Sequence, residues 1–192
     1  MDSRRFIEAV ESTSIIAAVK DDEGLEKALR SDTEIIFVLY GDICSIASIT
    51  HRIRQAGKIA MIHVDLISGL STREIILDYI SESTEADGII TTKHSLIPHA
   101  RELGLYTVLR FFALDSTALT NIGKAMKPGV VLPDVIEFLP GIISARMIEK
   151  INEASRVPVI AGGLITEKAD VMNALKGGAV AISTTNQDVW FL

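Results

Sequence analysis

Polar groups able to hold an anion recur where short apolar runs of this chain end. Lys20 follows Ile15–Val19, His63 and Asp65 end a run begun at Ile59, and Thr91, Thr92 and Lys93 follow Gly88–Ile90. Arg110 follows Thr107–Leu109, Glu137 lies within Val135–Phe138, Gly162 and Gly163 close Val159–Ala161, and Ser183, Thr184 and Thr185 close a run begun at Val180. Glycine lets a backbone approach a ligand closely, and helix N-termini carry partial positive charge. Gly162, Gly163, Ser183, Thr184 and Thr185 are therefore the expected phosphate-binding residues. Lys20, His63, Asp65, Thr92, Lys93, Arg110 and Glu137 are expected to meet the hydroxyl end of the same small ligand and to balance its charge. His63 and Asp65 also fit a metal-ligand pair, but no zinc-type cluster accompanies them and no metal is expected. A buried Glu137 requires a cationic partner, Lys20 or Arg110, and a purely structural ion pair is the simpler alternative to a binding role.

These residues need elements that bring the run ends together. Eight β-rich runs alternate with helical stretches, which favours a parallel α/β fold and gives the count of a closed (β/α)8 barrel, with an open doubly wound sheet as the alternative that periodicity alone does not exclude. In such a barrel the C-terminal strand ends form the functional face, with phosphate commonly held after strands seven and eight. The predicted helices include Gly24–Ser31, Ile43–Gly57, Thr72–Ser83, Ser116–Lys127 and a short one near Asn186–Trp190. Gly57, Gly104 and Gly177 each follow a helical stretch, as a left-handed C-cap requires. Ser71–Glu74 reads as a capping box. Trp190 and Phe191 are expected to seal the barrel end. MIHVDLIS (61–68) resembles VIAGGLIT (159–166), and GIITT (88–92) resembles AISTT (181–185). One domain, 1–192, is expected, with two half-barrels of about 1–104 and 105–192 as the form its repeat would take.

Composition bounds the function. The chain has 192 residues, 48% of them hydrophobic, and can bury a sizeable core, although roughly 250 residues is typical for this barrel. No run approaches the ~20 apolar residues of a membrane span. The N-terminus lacks a secretory pattern, and the one cysteine, Cys44, fits a reducing compartment, so the expected location is cytoplasmic, with no membrane partner. A net charge of −6 argues against a strongly basic nucleic-acid binder. The stretch His51–Lys58, with Arg52, Arg54 and Lys58, is the local candidate for RNA contact, unless it is merely solvated helix surface. Aromatic residues make up only 5%, so no base-stacking platform is evident. The other histidines, His51, His94 and His99, are expected to be solvated.

The segments HVDLISG (63–69), IITTK (89–93), LRFFALDSTAL (109–119), PDVIEFLPGII (133–143), IAGGLI (160–165) and AISTTNQDVW (181–190) resemble the glycerol-3-phosphate-responsive antiterminators that regulate bacterial glycerol-uptake operons. The similarity runs in order from Ile15 to Trp190. The resemblance implies a compact TIM-like barrel without catalytic activity or cofactor, which binds glycerol 3-phosphate and acts on a leader mRNA. The chain departs from the family pattern at Phe111, where a hydroxyl residue often follows the arginine. A phosphate-ester enzyme (isomerase, aldolase or phosphodiesterase-like) is the alternative, with Asp65 or Glu137 as base and Lys20 or Lys93 as electrophile. A scaffold for a protein partner is a third reading. The apolar C-terminus also allows a homo-oligomer.

Overall fold

Strands covered on both faces need apolar side chains in both directions, and the β-rich runs supply them. The computed structural model describes residues 4–70, 73–113, 115 and 117–192. Its strands are β1 (Ile15–Val19), β2 (Ile35–Val38), β3 (Ile59–His63), β4 (Gly88–Thr91), β5 (Tyr106–Phe112), β6 (Val135–Leu139), β7 (Val159–Gly162) and β8 (Ala181–Thr184). Each pairs in parallel with the next, and β8 returns to β1, closing a TIM-like (β/α)8 barrel. The helices are α1 (Arg4–Ser12), α2 (Asp22–Arg30), α3 (Ile46–Gln55), α4 (Ile75–Ser83), α5 (Ile97–Glu102), α6 (Thr117–Ala125), α7 (Ala145–Ala154) and α8 (Lys168–Lys176), with 3-10 turns at His94–Leu96 and Gln187–Phe191. Alternation along each strand sends Ile16, Phe37, Met61, Val108 and Ile160 into the barrel. Ile36, Ile62, Leu109, Phe138 and Ile182 point outward beneath the helices.

Several expectations shift. β5 is longer than Thr107–Leu109 because Phe111 and Phe112 continue the ladder opposite Phe138 and Leu139. The left-handed residue after α8 is Gly178 (φ 96°) rather than Gly177. Gly177 is required for space instead, since a Cβ there would lie 2.7 Å from Ile148 Cβ and 2.9 Å from the Ala145 carbonyl. The expected capping box at Ser71–Glu74 and the helix starts at Thr72 and Ser116 fall on residues outside those described. At α8, Asp170 accepts hydrogen bonds from the amides of Thr166 (2.9 Å) and Glu167 (3.2 Å), which secures that helix start. Trp190 does not seal the barrel end. It is buried in the outer layer with Leu25 and Val19, and its indole N–H donates to the Thr184 carbonyl (2.8 Å), while Phe191 is exposed.

The barrel bottom is closed by α1, which the sequence reading missed. Phe6 and Val10 are fully buried in the interior cluster, and the Phe6 ring stacks on Tyr106 with centroids 4.9 Å apart. The signal was present, since Phe6, Ala9 and Val10 have the spacing of one helix face. Two matching latches tie the strands at the same end. Asp87 accepts from Arg54 Nη1 (2.8 Å) and the Ala60 amide (2.9 Å). Asp134 accepts from Arg101 Nη1 (2.7 Å), the Thr107 amide (2.8 Å) and the Thr107 hydroxyl (2.9 Å). Each joins a helix, the strand after it and the start of the next strand.

Two losses of stability test this account by urea denaturation. Phe6→Ala should cost about 3–5 kcal/mol, and an unchanged midpoint would remove α1 from the core. Asp134→Ala should cost about 2–4 kcal/mol, because it leaves the Thr107 amide and hydroxyl without their acceptor. Asp134→Asn should cost less.

Candidate functional site

At the C-terminal barrel mouth, the inward positions of five strands converge. β6 places Glu137 there with no solvent exposure. A carboxylate so buried needs its charge and lone pairs met. Arg110 of β5 donates from Nε to Glu137 Oε2 (2.6 Å), and the Ser183 hydroxyl of β8 donates to Oε1. β7 makes room for the pair, because a Cβ on Gly162 would lie 2.4 Å from Glu137 Oε1 and 2.6 Å from Ser183 Oγ. Glu137 thus takes Arg110, not Lys20, as its partner. Lys20 lies exposed at the rim after β1.

β3 contributes His63, 3% exposed, with Nδ1 buried and unpartnered. Burial pushes its pKa down to about 4; the Arg110 charge lowers it further, and Asp65 pulls it up. His63 is therefore neutral at pH 7, with a hydrogen-bonding atom left to offer. Asp65 Oδ2 lies 4.0 Å from that atom, but its carboxylate accepts from the Thr91 hydroxyl (3.1 Å), the Thr92 amide (2.7 Å) and the Thr92 hydroxyl (3.0 Å). Asp65 and Thr92 therefore clamp β3 to β4 beside the site. Lys93 follows, exposed, with its amide on the Thr91 hydroxyl (3.1 Å). Among the described residues no group of three His, Cys, Asp or Glu side chains has metal-binding geometry.

The expected phosphate residues divide by strand alternation. Ser183 points inward. Thr184 points outward, where its hydroxyl donates to the Ile165 carbonyl (2.7 Å) and accepts from the Asn186 amide (3.0 Å). Thr185 lies exposed at the rim. Gly163 adopts φ 77°, followed by Leu164 at φ 60°, a conformation unfavourable for leucine. Leu164 is exposed, as are Phe112 after Arg110 and Ile142 after β6. This apolar lip on three consecutive strand ends was absent from the sequence reading, which followed polar residues only.

The expected basic RNA face is internally engaged. Arg52 pairs with Asp22 (3.1 Å) and Glu26, and Arg54 with Asp87. Lys58 donates to the carbonyls of Ser31 and Thr33, both at 2.6 Å. Tertiary neighbours on α2 and just before β4, invisible in the local run, neutralise what looked like an open cationic patch. The remaining histidines are also less free than expected. His51 pairs with Glu85 and His99 with Asp78, while His94 has a buried, unpartnered Nε2.

A family model described as glycerol-3-phosphate responsive antiterminator matches residues 15–190. The chain belongs to this family. It is 44% identical to the uncharacterized protein YgcP of Escherichia coli (strain K12) over 178 residues, 93% of this chain and 92% of that one. The crystal structure of the glycerol uptake operon antiterminator regulatory protein from Listeria monocytogenes str. 4b F2365 superposes with a TM-score of 0.84 at 31% identity, covering 92% of this chain and 94% of that one. A glycerol uptake operon antiterminator-related protein from Thermotoga maritima MSB8 gives 0.79 at 30% identity, covering 93% and 98%. Deoxyribose phosphate aldolase from Aeropyrum pernix, at 12% identity and a TM-score of 0.69 over 98% of this chain and 96% of that one, shares the barrel fold.

The depressed pKa of His63 has a stability consequence. From the ordinary value of 6.5 down to about 4, the unfolded histidine binds a proton that the folded one refuses. Its contribution is therefore complete above pH 6.5 and is lost as pH falls towards 4. The loss should approach about 3 kcal/mol. Urea melts between these limits should show a steeper acid loss for the wild type than for His63→Gln; parallel curves would mean that His63 is protonated in the fold.

Proposed function

We propose that the protein is a non-catalytic sensor that binds glycerol 3-phosphate at the barrel mouth and, in response, acts on the leader mRNA of a glycerol-uptake operon to let transcription pass a terminator. The observation that carries this reading is the pre-formed Arg110–Glu137–Ser183 cluster beside neutral His63, in a chain of a glycerol-3-phosphate-responsive family.

The ligand charge is met in two places. Glu137 already balances Arg110, so the added phosphate charge falls to the backbone donors at Gly162, Gly163, Ser183, Thr184 and Thr185, with Lys20 and Lys93 at the rim. Thr184 acts in this set through its backbone alone. The glycerol hydroxyls reach His63 Nδ1, while Asp65 and Thr92 hold that wall in place. Arg110 and Glu137 read the middle of the ligand. Both Glu137 oxygens and the Asp65 carboxylate are committed to hydrogen bonds, which leaves neither poised as a general base. The ligand controls RNA affinity only if the RNA-competent arrangement binds it more tightly.

Calorimetric titration tests the ligand. Glycerol 3-phosphate should bind, with glycerol and inorganic phosphate each weaker by at least about tenfold. Gly162→Ala, whose methyl group would displace the Glu137 carboxylate, should lose at least about tenfold, and Ser183→Ala should lose less. Consumption of glycerol 3-phosphate by the protein, or equal binding by both variants, would overturn the assignment.

A further inference from the structure

Resting on an RNA partner for this protein, we infer that the RNA-binding surface is the groove between α6 and α7, with Arg146 and Lys150 holding the nucleic-acid backbone. The charge distribution points there first. Residues 1–104 carry the whole net charge of −6, and residues 105–192 are neutral. In the acidic half the cations of the His51–Lys58 stretch are consumed by Asp22, Glu26, Asp87 and backbone carbonyls. In that stretch a polyanion finds no unengaged cation and meets the carboxylates that hold Arg52 and Arg54.

α7 is built differently. Arg146 and Lys150 stand one turn apart on its exposed side, a like-charge spacing that costs helix stability. Glu149 lies three residues from Arg146, and Glu153 three from Lys150, yet neither pair closes among the described residues. The helix instead sorts its charges by side. Glu149 and Glu153 line the groove towards α8 with Lys176. Arg146 and Lys150 line the opposite side with Met147 and Ser144. Lys124 and Lys127, exposed at the end of α6 and just beyond, also lack a partner among the described residues.

Between α6 and α7 runs a cleft of about 270 Å³ lined by Ala113, Ala118, Leu119, Met147 and Ile151, with Lys150 and one carboxylate, Asp115, whose oxygen is held by the Thr117 amide (2.8 Å) and hydroxyl. An apolar floor edged by the unpaired Lys150, with Arg146 one turn back on the same helix, suits single-stranded RNA, whose bases need apolar contact and whose phosphates need charge; Asp115 marks the end of the cleft where a phosphate would not sit. An acidic protein segment would be served by the cations but would not require the floor. The cleft also reaches the ligand site. It begins at Ala113, directly after β5, the strand that carries Arg110 into the mouth, and the Ala113 amide is tied to Leu139 of β6 (2.7 Å). A ligand that moves the Arg110–Glu137 pair moves the strand ends on which the cleft is hung.

The test is fluorescence anisotropy of a labelled single-stranded RNA of random sequence, with saturating glycerol 3-phosphate, across a salt series. The double variant Arg146→Glu, Lys150→Glu is compared with Lys168→Glu, Lys176→Glu on α8, which changes net charge equally. The α7 variant should lose at least about tenfold in affinity, and the neutral pair Arg146→Gln, Lys150→Gln should flatten log K against log salt by about 1.4, the share of two phosphate contacts. The α8 variant should change little, and calorimetric binding of glycerol 3-phosphate should survive in all three. Equal losses for α7 and α8 variants, or none, would overturn the surface while leaving an RNA-binding protein. Wild-type protein that binds no RNA, with or without glycerol 3-phosphate, would overturn the RNA reading and the surface with it. If Met147→Glu splits an oligomer in sedimentation without changing RNA affinity, the cleft is a contact between copies of the chain and the proposal fails.

Discussion

A carboxylate with no solvent exposure organises the C-terminal mouth of this barrel. Glu137 cannot remain charged there without donors, and a low-dielectric site makes each missing donor costly. Arg110 must therefore extend from the neighbouring strand in register with it, and Ser183 must face inward two strands away. Glycine at position 162 on the strand between leaves the carboxylate its place, because any side chain there would displace it. The guanidinium so fixed also helps keep His63 neutral across the mouth. One buried charge thus sets the identity or state of groups on β3, β5, β7 and β8.

The opposite end is devoted to holding the barrel shut. α1 fills the bottom with Phe6 and Val10, and the Asp87 and Asp134 latches clamp successive strands where they begin. Separation of this kind is the general logic of the fold: stability is concentrated at one face, and loops at the other are left to vary. It lets β5 run on to Phe112 and lets Leu164 adopt its unfavourable left-handed conformation without threatening the core.

Cationic residues have two uses in this chain. Arg54 and Arg101 complete buried carboxylate latches, and Arg52 joins α3 to α2. Arg146 and Lys150 complete nothing within the described fold. Net charge and a local count of basic residues do not separate these uses; only the tertiary partner does. In the acidic half Arg52, Arg54 and Lys58 are spent within the fold, whereas Arg146 and Lys150 of the neutral half are not.

The sequence by itself determined the parallel α/β class and the count of eight units, because apolar runs alternating with helical stretches are local patterns of period and length, though not the β8–β1 pairing that closes the sheet. It also determined which residues stand at the mouth, since polar side chains at strand ends have one face of a barrel to occupy. Gly162, Ser183, Arg110, Glu137 and His63 were legible in that way. The tertiary structure decided what each of them does. It decided that Arg110 rather than Lys20 satisfies Glu137, that Thr184 faces outward while Ser183 faces in, and that Asp65 serves Thr91 and Thr92. It also decided that Arg52, Arg54 and Lys58 are spoken for. Those outcomes depend on strand register and on partners tens of residues away, which no local window contains. The α1 plug lies between these cases: its periodicity is local, but its place under the barrel follows from the open apolar floor that the closed sheet presents.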